Sequence, residues 1–325
     1  MIKPHAANPF QKKPGLMRNR VNYSRYGYYF VAPFVLTYCI FQLYSTIFTF
    51  RVSFSNMANW NMNYVFTGIS NYLQLLSYST AAGQSFWNSL GNTCIIWIVN
   101  FIPQIGMALL LAHWFTSGRM RLRFQGTFKV LIFLPNTITA ATIAVLFFSL
   151  FNYPVAPANT LLHQLGLLNT PYQFLRDVPI SRGLISFIQW WLWYGNTMII
   201  LTAGILGINP ALFEAGLVDG CTSGQMFRKI TLPLLRPILL YNLVTSLIGG
   251  LQMFDIPHLF TQGNPNNTTN TVSRFIYNQA FTGTYNFNTA SAASVILLFI
   301  IVILSLLLFW AMRDRSEKRA RRAAR

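Results

Sequence analysis

The side chains best placed to do chemistry in this sequence are neutral. "GLISFIQWWLWYGNTMIILTAGILG", residues 183–207, sets Gln189, Trp193 and Asn196 at helical spacing inside an apolar run, and residues 237–257 repeat the device with Ser246, Gly250 and Met253. Amides and hydroxyls both donate and accept hydrogen bonds, and an indole offers an apolar face with one N–H at its edge. Together they can hold a neutral, hydroxyl-rich molecule. Polar groups inside hydrocarbon point toward partners, cavities or pathways, so the two stripes can converge on one cavity. The same residues also serve close helix packing and interhelical hydrogen bonding, and both readings stay open at this point. Covalent and metal chemistry lack their residues: Cys39, Cys94 and Cys221 form no CxxC pair, His5, His113, His163 and His258 are scattered, and no nucleophile motif is present.

A second polar stretch has a different character. "EAGLVDGCTSGQMFRKITLP", residues 214–233, holds Glu214 and Asp219, two of only six acids in the chain. Its signals describe two short helices and a turn. Asn209 is an N-cap and Pro210 suits the first helical position. The helix then runs through Leu212, Glu214, Ala215 and Leu217 to Gly220, a left-handed terminator. Thr222 or Ser223 caps a second helix through Phe227 and Ile230, ended by Pro233. The small residues Ala215 and Gly216 let another surface come close, which suits a docking knob.

The elements that carry both stretches follow from composition. The chain has 325 residues, 53% hydrophobic and 9% charged, against about 25% charged in a soluble domain. A membrane crossing needs about 20 mainly apolar residues, and residues 28–50, 88–113, 130–151, 183–207, 237–257 and 289–312 qualify. The expectation is an all-α integral membrane protein of six transmembrane helices. A basic tail (1–27) precedes the membrane domain (28–312), a polar loop spans 208–236, and a second basic tail (313–325) follows. The run after residue 27 lacks a small-residue cleavage site and reads as an uncleaved span. A net charge of +18 is also a footprint of nucleic-acid binding, but its distribution excludes that partner. Twenty Lys and Arg lie in alternate segments on one side, whereas Arg51, Arg176, Arg182 and Arg274 occupy the other. Basic residues near span ends stay cytoplasmic, which places both termini inside. The same charges can rest against anionic membrane lipids.

Residues 214–233 resemble the signature loop of permease subunits of binding-protein-dependent ATP-binding-cassette (ABC) importers: Glu-Ala-Ala, three residues, Gly, nine residues, Ile-x-Leu-Pro. Glu214, Ala215, Gly220, Ile230, Leu232 and Pro233 stand at those places, and Gly216 replaces the usual Ala. "FTGISNYLQLL" (66–76), "FKVLIFLPNTI" (128–138) and "FDIPHLFTQGNP" (254–265) are similar to segments of the carbohydrate, or maltose-type, branch, first permease type.

The resemblance implies the type I ABC importer permease fold. It makes Glu214, Ala215, Gly216, Asp219, Gly220, Ile230, Leu232 and Pro233 the coupling element that sits in a groove of a cytoplasmic ATPase. It implies as partners two ABC ATPases carrying ATP and Mg, a homologous second permease, an extracellular solute-binding protein and a sugar substrate. An ungapped match places Gln189, Leu192, Trp193, Asn196, Ser246, Gly250 and Met253 at sugar-contacting positions, with Gly250 and Met253 standing where the relatives have amides. The chain contains no GxxxxGK[ST] phosphate loop and no metal-ligand spacing, so no cofactor and no catalytic residue are expected in it. Polyol or sugar-phosphate import is the near alternative. An ion-coupled transporter is the distant one, since only Asp255 among the acids lies near a span.

Overall fold

The computed structural model describes residues 24–61, 63–117, 124–154, 156–283 and 285–312. Residues 1–23 of the first basic tail, the second basic tail 313–325, and Arg119, Arg121 and Arg123 lie outside them. Packing divides the chain into two units, Met1–Phe48 and Thr49–Arg325.

In the first unit, α1 (Ser24–Thr37) passes through a π-helical turn (Tyr38–Leu43) into the start of α2 (Tyr44–Ser53), whose residues from Thr49 onward are assigned to the second unit. Pro33 lies inside α1, and Thr37 Oγ1 donates to the Pro33 and Phe34 carbonyls at 3.0 and 2.9 Å. Phe34–Tyr38 and Tyr44–Phe48 stack at i, i+4 with centroids 6.4 Å apart. The outer side chains are apolar and exposed, Phe30 to 85%, which suits contact with hydrocarbon and not with water.

In the second unit a short helix, α3 (Ser70–Leu76), precedes α4 (Ala81–Thr116), which is capped by Thr80 Oγ1 accepting from the Gly83 N–H at 3.0 Å. Next come α5 (Gln125–Phe133) and α6 (Ala140–Phe151), with a 3₁₀ turn at Leu134–Thr137 between them. The expected third span is therefore broken: its halves meet at 85°. Pro135 lies in the turn and Thr139 caps a fresh start, its Oγ1 accepting from the Thr142 N–H at 3.3 Å. Then follow α7 (Pro157–Gln164) and α8 (Val178–Leu206). The elbow comprises α9 (Pro210–Val218), α10 (Ser223–Met226), a π turn at Phe227–Thr231 and α11 (Leu232–Leu234). It leads into α12 (Arg236–Leu251), α13 (Val272–Phe281) and α14 (Phe287–Met312). α12 ends six residues short of the expected 257; its C-cap is Gln252, and Pro257 opens a separate π turn to Thr261.

Among the described residues, three helical runs are long and apolar enough to cross a membrane (residues 26–53, α4 and α14), or up to six if each bent pair is one crossing. The same residues hold no strand, only an isolated antiparallel bridge between Ser55 and Phe66.

α4 and α8 pack along each other and divide the interior into three apolar clusters. Phe86, Leu251 and Phe275 join α4, α12 and α13. Ile96, Ile143 and Ile188 join α4, α6 and α8. Ala112, Leu201 and Leu235 join α4 and α8 to the end of the elbow. Small residues permit this proximity: a Cβ on Gly195 would come within 2.6 Å of the Ile132 carbonyl oxygen, so glycine lets the α5 backbone cross α8.

Polar ties hold the other end. Arg182 Nη2 donates to Asn92 Oδ1 at 2.6 Å and Nε to the Thr268 carbonyl at 2.9 Å. Asn92 Nδ2 donates to the carbonyls of Asn267 and Asn270 at 2.9 and 3.1 Å. The 262–271 connection is thereby fastened to α4 and α8.

α8 starts at Asp177, whose Oδ1 accepts from the Ile180 N–H at 3.0 Å and Oδ2 from the Tyr172 hydroxyl at 2.8 Å. Those two bonds, the backbone one foremost, hold the Asp177 carboxyl below the usual carboxylate range. A lowered folded-state pKa gives stability that is present above the unfolded value and lost as pH falls through the folded one. Wild type should therefore lose more thermal stability than Asp177→Asn on acidification below about pH 4; parallel melting curves across that range would refute the linkage.

Candidate functional site

Both sequence-read stripes face one cavity of ≈ 210 Å³. From α8 it takes Gln189, Trp193 and Asn196, and from α12 and its end Ser246, Gly250 and Met253. Leu192 does not line it. That side chain is 5% exposed in the cluster with Ile96 and Ile188, and faces a neighbouring cavity of ≈ 300 Å³ instead. Gln189, Trp193, Gly249 and Met253 line both spaces, so they form the partition between them. Beyond it the second cavity carries Asn136, Gln252 and Asp255.

A third wall was not read from the sequence. Trp97, Asn100 and Gln104 of α4 line the first cavity too, at i, i+3 and i+7 on one helix face. Their spacing inside an apolar helix was the available signal. Gln104 Nε2 donates to Thr197 Oγ1 at 2.8 Å, and Trp97 Nε1 to Ser246 Oγ at 3.3 Å. The lining contains amides, hydroxyls, two indoles and a phenol, and no Asp, Glu, Lys, Arg or His side chain. Such a surface can stack on an apolar ring face and exchange hydrogen bonds with hydroxyls, without a fixed charge to hold an ion.

The elbow forms largely as its local signals require. Asn209 Oδ1 accepts from the Ala211 N–H at 3.1 Å, with Pro210 at the first position of α9. Gly220 has φ +75°, and its N–H donates to the Leu217 carbonyl at 3.1 Å. Thr222 completes a capping box with Gln225, at 3.3 Å and 2.8 Å. Pro233, however, lies one residue short of the end of the second helix, which stops at Leu234 before a 67° bend into α12. The π turn at Phe227–Thr231 just before it shifts the hydrogen-bond register, and so receives a ring that an unbroken α-helix would exclude.

Gly216 also differs from the reading of an outward docking surface. It is buried, and a Cβ there would lie 3.2 Å from Ile230 Cδ1 and 3.5 Å from Met226 Cγ. The close approach it permits is between the two helices of the elbow. Glu214, Ala215, Asp219 and Pro233 are exposed on the elbow, while Ile230 and Leu232 are half-buried. His113 of α4 braces the elbow from behind: its ring packs 4.6 Å from Phe227, and Nε2 lies 3.3 Å from Ser223 Oγ.

Residues 104–322 match the family described as "Binding-protein-dependent transport system inner membrane component". The lactose transport system permease protein LacF of Rhizobium radiobacter is 33% identical, over 89% of this chain and 95% of that protein. The arabinooligosaccharides transport system permease protein AraP of Bacillus subtilis is 30% identical, over 86% of each chain. In fold, the chain is similar to a crystal structure of a bacterial ABC transporter involved in the import of the acidic polysaccharide alginate, with TM-score 0.75 and 23% identity over 90% of this chain and 96% of that one. An all-helical membrane fold, the capped elbow and a family match over residues 104–322 agree: the chain belongs to the binding-protein-dependent transport system inner membrane components, the permeases of ABC importers.

Proposed function

We propose that this chain is the permease subunit of an ATP-driven importer for a neutral sugar or oligosaccharide. The observation that carries the cargo class is the cavity between α4, α8 and α12, which is polar and aromatic yet uncharged. A sugar phosphate needs a cation that this lining lacks. The sugar-transporting relatives support the same reading. Gln189, Trp193, Asn196, Ser246, Gly250 and Met253 form the cargo surface, and Leu192 faces the neighbouring space instead.

In this reading the chain makes six crossings, with 20 of 24 Lys and Arg and both termini on the cytoplasmic side of a bacterial inner membrane. The elbow then projects into the cytoplasm, where exposed Glu214, Ala215 and Asp219 meet an ATPase groove. Gly216, Gly220, Ile230, Leu232 and Pro233 keep it stiff. Energy enters from two separate ATPases that bind ATP and Mg, because the sequence has no phosphate loop. A second permease completes the pathway, and a solute-binding protein delivers the sugar from outside.

The test is uptake by proteoliposomes holding this chain, its partner permease, the ATPases and the binding protein. Radiolabelled lactose and arabinotriose should accumulate only with internal ATP, and a protonophore should leave uptake intact. Uptake that persists without ATP and collapses with the proton gradient would replace this reading by an ion-coupled one.

A further inference from the structure

Trp97 lies on α4, outside both stripes, and reaches the cavity through a gap in α12. A Cβ built on Gly250 would overlap the indole at Cδ1, Cγ and Nε1. The ring therefore occupies the volume that a side chain at 250 would claim, and its five-membered edge rests on the α12 backbone. Three contacts fix it there. Nε1 donates to Ser246 Oγ at 3.3 Å, Phe101 stacks on it with centroids 5.5 Å apart and planes 24° apart, and it packs against two of the three apolar clusters. Because Ser246 accepts from the indole, its own O–H remains free to donate toward the cavity.

We propose that Trp97 is a specificity-determining residue for cargo. Its indole is a fixed stacking surface for the C–H face of a sugar ring, and Ser246, oriented by that indole, donates to a ring oxygen or hydroxyl beside it. Together with Trp193, which is 49% exposed at the partition, it gives the cavity two indole surfaces. The selected chemistry is a neutral cyclic saccharide, in preference to a linear polyol that has no ring face to stack. The residue at 250 sets this choice: glycine admits the indole, whereas an amide there would displace it and put a hydrogen-bonding group in its place.

The inference rests on the sugar reading above, and the experiment separates the two. The same proteoliposomes are used, with lactose and arabinotriose as probes and the wild-type binding protein at saturation, and sugar moved per ATP hydrolysed is measured. Trp97→Ala should retain binding-protein-stimulated ATP hydrolysis while sugar per ATP falls about tenfold, the size of loss expected for an aromatic contact plus a misoriented hydroxyl. Trp97→Phe, which keeps a ring face, should recover most of it. Gly250→Asn should imitate Trp97→Ala, and the double variant should be no worse than either single one, because both remove the same surface. Unchanged sugar per ATP in Trp97→Ala would overturn the proposal. So would a parallel loss of uptake and ATP hydrolysis that Phe does not rescue, since that marks a packing residue. A wild-type assembly that moves no neutral saccharide would overturn the sugar reading and this inference with it.

Discussion

Arg182→Ala should destabilise the protein by about 2–4 kcal/mol, since it removes two hydrogen bonds from a charged donor, each worth roughly 1.5–3 kcal/mol less the relaxation of their partners. The acceptors left behind are Asn92 Oδ1, from 2.6 Å, and the Thr268 carbonyl, from 2.9 Å. Arg182 is half-buried, so water recovers part of that loss and the lower end of the range is the floor. The damage should spread along the connection. Asn92, no longer held by the guanidinium, is free to swing, and its Nδ2 is what grips the carbonyls of Asn267 and Asn270. Asn270 in turn holds Ser89 of α4 at 3.1 Å and receives Arg274 Nη1 at 2.8 Å. Arg182→Lys should restore little, because an ammonium cannot reach both acceptors with the geometry of a planar fork. Thermal unfolding of the detergent-purified assembly checks this. Arg182→Ala and Asn92→Ala should each lower the midpoint, and together they should do so by less than the sum. Strict additivity would show that the two residues act separately.

Gly220→Val and Gly216→Leu should both uncouple ATP hydrolysis from uptake, for opposite physical reasons. At Gly220 there is room: a Cβ meets nothing within 4 Å, but φ is +75°. The cost there is purely in the backbone, about 1–2 kcal/mol for an L-residue held in the left-handed region, and highest for a β-branched one. Asn tolerates that region, so Gly220→Asn should be mild. At Gly216 the backbone is ordinary helix and the space is short, 3.2 Å from Ile230 Cδ1. Ala should be accommodated by movement of the flexible Ile230 and Met226 ends, whereas Leu overpacks the joint at about 1–3 kcal/mol and drives the two helices apart. On the proposed reading of the elbow as a lever between an ATPase and α12, either change should reduce uptake per ATP by about tenfold, since each 1.4 kcal/mol of lost rigid population is a factor of ten. Proteoliposome uptake and ATP hydrolysis measured side by side give the ratio. A normal ratio in both severe variants would mean the elbow is not the lever.

The elbow was legible because its determinants are close in sequence. Asn209 caps within two residues, Thr222 and Gln225 exchange bonds over three, and Gly220 needs only its own φ to be left-handed. Two readings there needed the fold: Pro233 lies one residue short of the helix end, after a π turn that no spacing signal announces, and Gly216 is buried between the two helices. The two cavity-lining stripes were legible too, since polar residues at i, i+3 or i+4 in an apolar run stand out. The break in the third span was not read, although Pro135, Asn136 and the capping Thr139 mark it, because the apolar residues on either side make 130–151 long enough to pass for one crossing.

By composition and short-range pattern, the sequence alone determined that the chain lives in a bilayer, roughly where its long apolar helices run, where the elbow caps fall and to which family of permeases the chain belongs. Only the tertiary structure decided that α4 supplies a third wall of the cavity, that Leu192 turns away from it, and that Trp97 enters opposite Gly250. The reason lies in the solvent. In water an apolar face marks the interior, but lipid is as apolar as a protein core, so periodicity cannot say which side of a membrane helix meets its neighbours. That choice is made by contacts between distant segments, such as Trp97 and Ser246, 149 positions apart.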